Sequence, residues 1–408
     1  MSSPRTPGTR PPVTAASVGL YLAVVQFFLA IGWVVYAVYL PQLAKAVGLE
    51  AKWVPWLLMA DQLVFIVTDL AVGLASDRAA RVLGRIGSAV LVATLLSSLA
   101  FVALPSVAAQ GSPLLFVGVT FVWAVTSSAL RAPPLTLLGR YVAKPAQPMM
   151  VALGAFGLGV AGAVAPYLAL KLKALDPLLP FVLSAASLAA VTLGMVAAER
   201  ALARGGPPRR DTANGAAVPA RDGRAVSGFL LACAVAAAAF QWHGFVASAP
   251  LALRFAPAAD LPWLLPVFWV GFNLALLPAG LLAKRTGPLR SLTFGAALAA
   301  GGNAAAAWAP GLPVLLTGQF VAGAGWALLL CSAFSAALLL GRGGREGLLS
   351  GALSSTLAGA ALLRIAVVAV GAPAPATAVE WAWLAALGFG LCALLLRPVD
   401  ARPRDGQA

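Results

Sequence analysis

The chain has 408 residues, of which 61% are hydrophobic and only 10% charged, with a formal net charge of +15. That little polar surface cannot cover a water-soluble globule of this length, which excludes a soluble enzyme or binding domain and makes lipid the expected solvent. The positive balance would suit nucleic acid, but its confinement to alternate loops between apolar runs points to a membrane surface, and no nucleic-acid partner is expected.

Residues 1–16 read as a cytoplasmic N-terminal tail. Six apolar runs follow, near 17–40, 54–76, 86–108, 114–138, 149–170 and 178–198. Each is close to the ~20 residues that a helix needs to cross a hydrocarbon core. They make an N-terminal six-helix bundle over 17–198. The first is too long for a signal peptide and has no small-residue cleavage site, so it stays as helix one. The stretch 199–225, rich in Pro, Gly and Asn and carrying Arg200, Arg204, Arg209, Arg210, Arg221 and Arg224, reads as a flexible cytoplasmic linker. Its charge serves lipid headgroups or orientation. Six more runs, near 226–249, 262–283, 291–309, 314–340, 347–371 and 379–397, make a C-terminal bundle over 226–397, and 398–408 is a second cytoplasmic tail. None alternates as barrel strands do, so the expected fold is an all-α membrane protein of twelve transmembrane helices.

Only Lys45, Lys52, Lys171, Lys173 and Arg254 fall in the loops of one side, and Arg131 and Arg364 lie within spans. Every other Lys and Arg belongs to the opposite side, which is therefore cytoplasmic and holds both termini. Trp53, Trp56, Trp263, Trp381 and Trp383 cluster at the outer ends of spans, as an aromatic belt requires. Cys233, Cys331 and Cys392 each fall inside a span without paired spacing and read as small apolar filler. With one histidine in the chain, neither a metal site, a catalytic triad nor a bound cofactor is expected.

The halves are related by a repeat. Gly73-Leu74-Ala75-Ser76-Asp77-Arg78 recurs, weakened, as Gly280-Leu281-Leu282-Ala283-Lys284-Arg285, 280 − 73 = 207 positions later. Glycine lets neighbouring helices approach, and an acid at a helix end pairs with cationic or helix N-terminal groups present in one conformation only, so Asp77 can latch a gate.

The run from Asp69 through Gly73, Ser76, Asp77, Arg78, Arg81, Gly84 and Arg85 resembles the signature loop of the major facilitator superfamily, and the 6+6 layout agrees with it. The resemblance implies two pseudo-symmetric six-helix bundles rocking about a central site, with helices two and eleven meeting between them. The loop departs from the usual pattern: five residues, Ala79 to Leu83, separate Asp77-Arg78 from Gly84-Arg85, and Lys284 replaces the acid in the second copy. The loop is also similar to that of the sugar and cation symporter branch, where the acid in the place of Asp69 helps to bind the coupling ion, although Phe65 stands where that branch has a second acid. Gly154, Gly157, Gly159 and Gly162, before Pro166, are similar to the glycine-proline motif of drug-exporting relatives and are equally what close helix packing requires.

An ionisable group at mid-bilayer costs roughly 2.5 to 3.5 kcal/mol, so such residues face a cavity or a partner. Asp61 and Asp69 lie about 80° apart on helix two, and Gln62 and Asp69 within about 20°. Arg364 on helix eleven matches Asp61 in depth, which suggests a pair that opens during transport; the bland alternative is a snorkelling arginine and a protonated, structural aspartate. The other candidates are Gln26 and Trp33 on a semi-polar stripe of helix one, Gln241 and His243 on helix seven, and Asn273 on helix eight. Arg131 near the inner end of helix four is either a clamp for an anion or an anchor. His243 is either a proton carrier or a hydrogen-bonded interhelical histidine.

The expected function is alternating-access transport of a small organic solute, neutral or weakly charged, by a monomeric carrier in the plasma (inner) membrane. With no nucleotide site, coupling falls to a proton or cation such as sodium at the acids of helix two. An exporter of drugs or metabolites on the same fold is the nearest alternative. A non-transporting membrane binding or assembly protein is the alternative from another class.

Overall fold

The computed structural model describes residues 15–82, 87–130, 142, 146–194, 223–371 and 375–400. Among these residues the chain is helical, without strands. The longer helices are α1 (Ala15–Ala46), α2 (Val54–Val82), α3 (Gly87–Ala109), α4 (Pro113–Ser128), α5 (Gln147–Leu172), α6 (Leu178–Thr192), α7 (Gly223–Trp242), α8 (Pro266–Thr286), α9 (Pro288–Ala307), α10 (Leu312–Leu340), α11 (Glu346–Ala369) and α12 (Trp383–Asp400). α7 continues through a π-helical turn, His243–Ala247, into a short helix, Ser248–Leu253.

Nine helical runs among the described residues are long and apolar enough to cross a membrane, and α4 and α6 are shorter apolar helices. α9 is not among them: built largely of Ala and Gly, with Asn303 inside it, it is less apolar than its neighbours. Among the described residues nine such runs thus stand with three further helices, α4, α6 and α9, at the places of the other expected spans. α7 begins at Gly223, inside the stretch read as linker.

Local chemistry sets several boundaries. The Ser112 side chain accepts from the Leu115 N–H and Pro113 occupies the first turn, which starts α4. Gly287, at φ 91°, ends α8, and Pro288 opens α9 directly after it.

The packing repeats when each helix number is raised by six. α3 packs on α4 and α6 as α9 packs on α10 and α12; α1 packs on α5 and α6 as α7 packs on α11 and α12; α2 packs on α4 as α8 packs on α10. Between the halves the same rule holds, because α2 meets α11 as α8 meets α5. Two bundles related by a pseudo-twofold axis account for all of this.

Inside each bundle small residues bring backbones together. A Cβ on Gly157 of α5 would overlap the Ala23 carbonyl of α1, and one on Gly323 of α10 would overlap the Phe268 carbonyl of α8. α10 is sheathed on all sides: 83% of its span is buried, against 28% to 39% for the other candidate spans. On the outside, Leu99, Leu114, Val67 and Trp308 are exposed, as a lipid-facing surface requires. The three cysteines are buried and unpaired as disulfides.

Candidate functional site

The helix ends at Val82, Gly87, Gln147, Thr192 and Gly223 lie at one end of the bundles, the linker end; the opposite end carries the turns near 50, 111, 175, 257 and 310. At the linker end the two halves are bonded together. Gly347 N–H donates to Asp77 Oδ1 and Leu348 N–H to Asp77 Oδ2, both at 2.8 Å. Helix α11 has no side-chain cap of its own at Arg345, so a carboxylate of the other half supplies the acceptor that its first free N–H groups and positive dipole end call for. Asp77 is buried there at 4% exposure.

Glycine makes that reach possible. A Cβ on Gly73 would overlap the Gly347 carbonyl, and one on Gly351 would overlap the Asp69 carbonyl, so α2 and α11 touch backbone to backbone. Further along, Ser355 Oγ donates to the Ile66 carbonyl at 2.7 Å. Arg78 is exposed beside Asp77. Gly84 and Arg85 lie outside the described residues, as does the Arg81 side chain.

The second turn keeps the glycine contact without the acid. A Cβ on Gly280 would sit 3.1 Å from Met149 Cα of α5. Lys284 and Arg285 are exposed and, with Thr286, Arg290 and Ser291, line an open pocket of about 740 Å³.

Within the spans, the acids of α2 are held by hydroxyls of their own half. Asp69, fully buried, accepts from Ser128 Oγ of α4 at 2.6 Å, and Thr68 Oγ1 donates to the same Ser128 oxygen at 2.5 Å. Asp61 accepts from Tyr36 Oη of α1 at 2.7 Å. The suggested Asp61–Arg364 pair is not formed in this conformation. Arg364 instead donates from Nε to Gln241 Oε1 at 3.0 Å and lies 4.7 Å from the Phe245 ring centre. Helices α2 and α11 do meet, backbone to backbone at Gly73 and Gly351 and through Ser355 and Ile66 further along, on the linker-end side of both charges.

The remaining candidates are scattered. His243 is buried and shares a 2.8 Å hydrogen bond with Gln319 of α10, which is the interhelical arrangement. Asn273 Nδ2 donates to the Trp269 carbonyl at 2.8 Å, while its Oδ1, buried where Gly159 crosses α8, has no partner. Gln62 is buried and Gln26 half-buried. Trp33 stacks on Trp123 at 5.9 Å and packs on Phe65 and Tyr36, so it belongs to an aromatic cluster of the N-terminal half. Arg131 lies outside the described residues. Gly159 and Gly162 of α5 seat Asn273 and Trp269 of α8, and Gly157 seats α1, so the glycine run serves packing on two sides.

Sequence reasoning missed Tyr36, Ser128, Gln319 and the α11 N–H groups. One signal was available for the first: 243 − 36 = 207 and 240 − 33 = 207, so Tyr36 and Trp33 occupy the repeat positions of His243 and Phe240. Each half thus places a hydrogen-bonding aromatic side chain at this position of its first helix, Tyr36 on Asp61 and His243 on Gln319. Tyr36→Phe leaves the Asp61 carboxyl without its donor and is expected to cost about 1–3 kcal/mol. The lower melting temperature should be largely restored in Tyr36→Phe/Asp61→Leu. A double variant less stable than the single one would refute this account of the pair.

A sequence model described as the Major Facilitator Superfamily matches residues 22–363. No curated protein matches the sequence. The fold is similar to that of a human organic anion transporter (TETRAN) at 16% identity and a TM-score of 0.69, covering 96% of this chain and 100% of that one. It is similar to that of the E. coli fucose:proton symporter at 15% identity and a TM-score of 0.69, covering 93% and 98%. A bacterial homologue of the iron transporter ferroportin, in an outward-facing state, aligns at 14% identity and a TM-score of 0.71, covering 94% and 100%. At these identities the likeness is one of fold.

Proposed function

Because the chain belongs to the major facilitator superfamily, whose members carry small molecules across lipid bilayers, we propose that it moves a small organic solute by rocking its two halves, powered by a proton or cation gradient. The observation that carries the reading is the Asp77 carboxylate on the α11 N–H groups. It is a hydrogen-bonded contact between the halves at the linker end, and it must break for that end to open. The linker end is cytoplasmic by the positive-inside rule, so this conformation is closed toward the cytoplasm. Both termini inside follows from the same rule, and a monomer in the plasma membrane is part of the proposal. The solved neighbours carry different cargoes, so the fold does not choose among solutes, nor between import and export.

The test uses spin labels at Lys52→Cys and Asp260→Cys, exposed positions at the far end of opposite halves; the native cysteines are buried. Two distance populations are expected, the shorter one growing as the linker end opens. A single distance under every condition would remove alternating access and favour a non-transporting protein of the same fold.

Asp69 is the proposed coupling site, since its carboxylate is buried at mid-span against Ser128 and Thr68 of the same half. Asp69→Asn keeps an oxygen for Ser128 but cannot exchange a proton. It is expected to abolish the dependence of the far-end distances on pH and sodium while leaving both populations present. Retention of the wild-type dependence would exclude Asp69 from coupling.

A further inference from the structure

Arg364 lies within the α11 span, yet its guanidinium is turned toward α7, bonded to Gln241 and set over Phe245. Gln241 is neutral and Phe245 offers only the negative face of a ring, so the cation has no carboxylate partner among the described residues. Nε is used by Gln241, and the two terminal nitrogens have no acceptor among those residues.

Measured from the linker-end starts of their helices, Arg364 and Gln241 are level, 364 − 346 = 18 and 241 − 223 = 18 residues in, so the guanidinium reaches across to α7 at its own depth. It is half-buried there, beside a Phe245 ring that is 58% exposed.

We infer that Arg364 is the recognition point for the carboxylate of an organic anion. The terminal nitrogens form a fork that matches two carboxylate oxygens, Gln241 fixes the plane of that fork, and Phe245 offers a flat apolar face to the body of the solute. This rests on the transporter reading and narrows it: the neutral or weakly charged solute expected from the sequence becomes an anion.

Three probes of similar size separate charge from shape: benzoate, benzamide and benzylamine. Binding to the full chain in phosphatidylcholine nanodiscs, read by tryptophan fluorescence, is expected for benzoate and to be at least roughly tenfold weaker for the other two. Arg364→Lys keeps the charge without the fork and should weaken benzoate roughly tenfold, and Arg364→Gln should abolish its binding. The charge preference of the unaltered protein is informative even if a variant misfolds. Equal binding of benzamide, an absent benzoate response, or unchanged benzoate binding in both variants overturns the assignment. So does a preference for phosphatidylglycerol that Arg364→Gln removes without any benzoate response, since a lipid phosphate would then sit on the arginine. The label pair at Lys52→Cys and Asp260→Cys needs no ligand. Two populations there with no benzoate preference would sink the anion and spare the transporter, and a single population would sink the transporter itself.

Discussion

Asp77→Asn is expected to shift the far-end distances toward the short population by one to two orders of magnitude. The wild-type carboxylate accepts two charge-assisted hydrogen bonds from Gly347 and Leu348 at 2.8 Å and faces the positive end of α11. The amide keeps one acceptor oxygen and loses the charge. Hydrogen bonds to charged groups contribute about 1.5–3 kcal/mol, and a charge at a helix terminus up to about 2 kcal/mol in partly buried geometry. Both contributions exist only while the linker end is closed, so their loss moves the equilibrium without altering either bundle. The melting temperature should therefore change little while the spin-label distribution changes greatly. An unchanged distribution would mean that Asp77 does not hold the gate. Asp77→Glu should fail to rescue it, because backbone contact between Gly73 and Gly347 leaves no room for a longer side chain.

The second large effect is a contrast between glycines. At Gly323 an added methyl would collide with the Phe268 carbonyl inside the C-terminal bundle, and at Gly157 with the Ala23 carbonyl inside the N-terminal one. Packed cores relieve such collisions only by shifting backbone, at about 1–3 kcal/mol or more. Gly323→Ala and Gly157→Ala should lower the melting temperature and the yield of folded protein. At Gly73 the collision is with Gly347 of the other half. Rocking relieves it, so Gly73→Ala should populate the linker-open state much as Asp77→Asn does, with the melting temperature nearly preserved. Equal thermal loss at Gly73 and Gly323 would show that the two halves pack as one rigid body and would contradict rocking.

The repeat offset of 207 was legible early because both copies keep the same local chemistry, a glycine that must face another helix and a polar group four residues on. It located Asp77, the acid that bonds one half to the other. It did not locate the partner, since Gly347 and Leu348 contribute backbone N–H groups, which every residue carries, from 270 and 271 positions away. Asp61 illustrates the opposite failure. Matching depth suggested Arg364, but depth is a single coordinate. The side chains turn within their own halves, to Tyr36 and to Gln241.

Hydropathy is written along the chain, residue by residue, so the sequence alone determined that this is a helical membrane protein, that it is doubled, and which end is basic. Facing is not written there. An α-helix in lipid satisfies its own backbone wherever it points, so rotation about its axis is decided only by what packs against it. That is why the tertiary structure alone decided that Trp33 joins an aromatic cluster, that the glycines of α5 serve two neighbours, and that Arg364 reaches across to α7 with no carboxylate to meet it among the described residues.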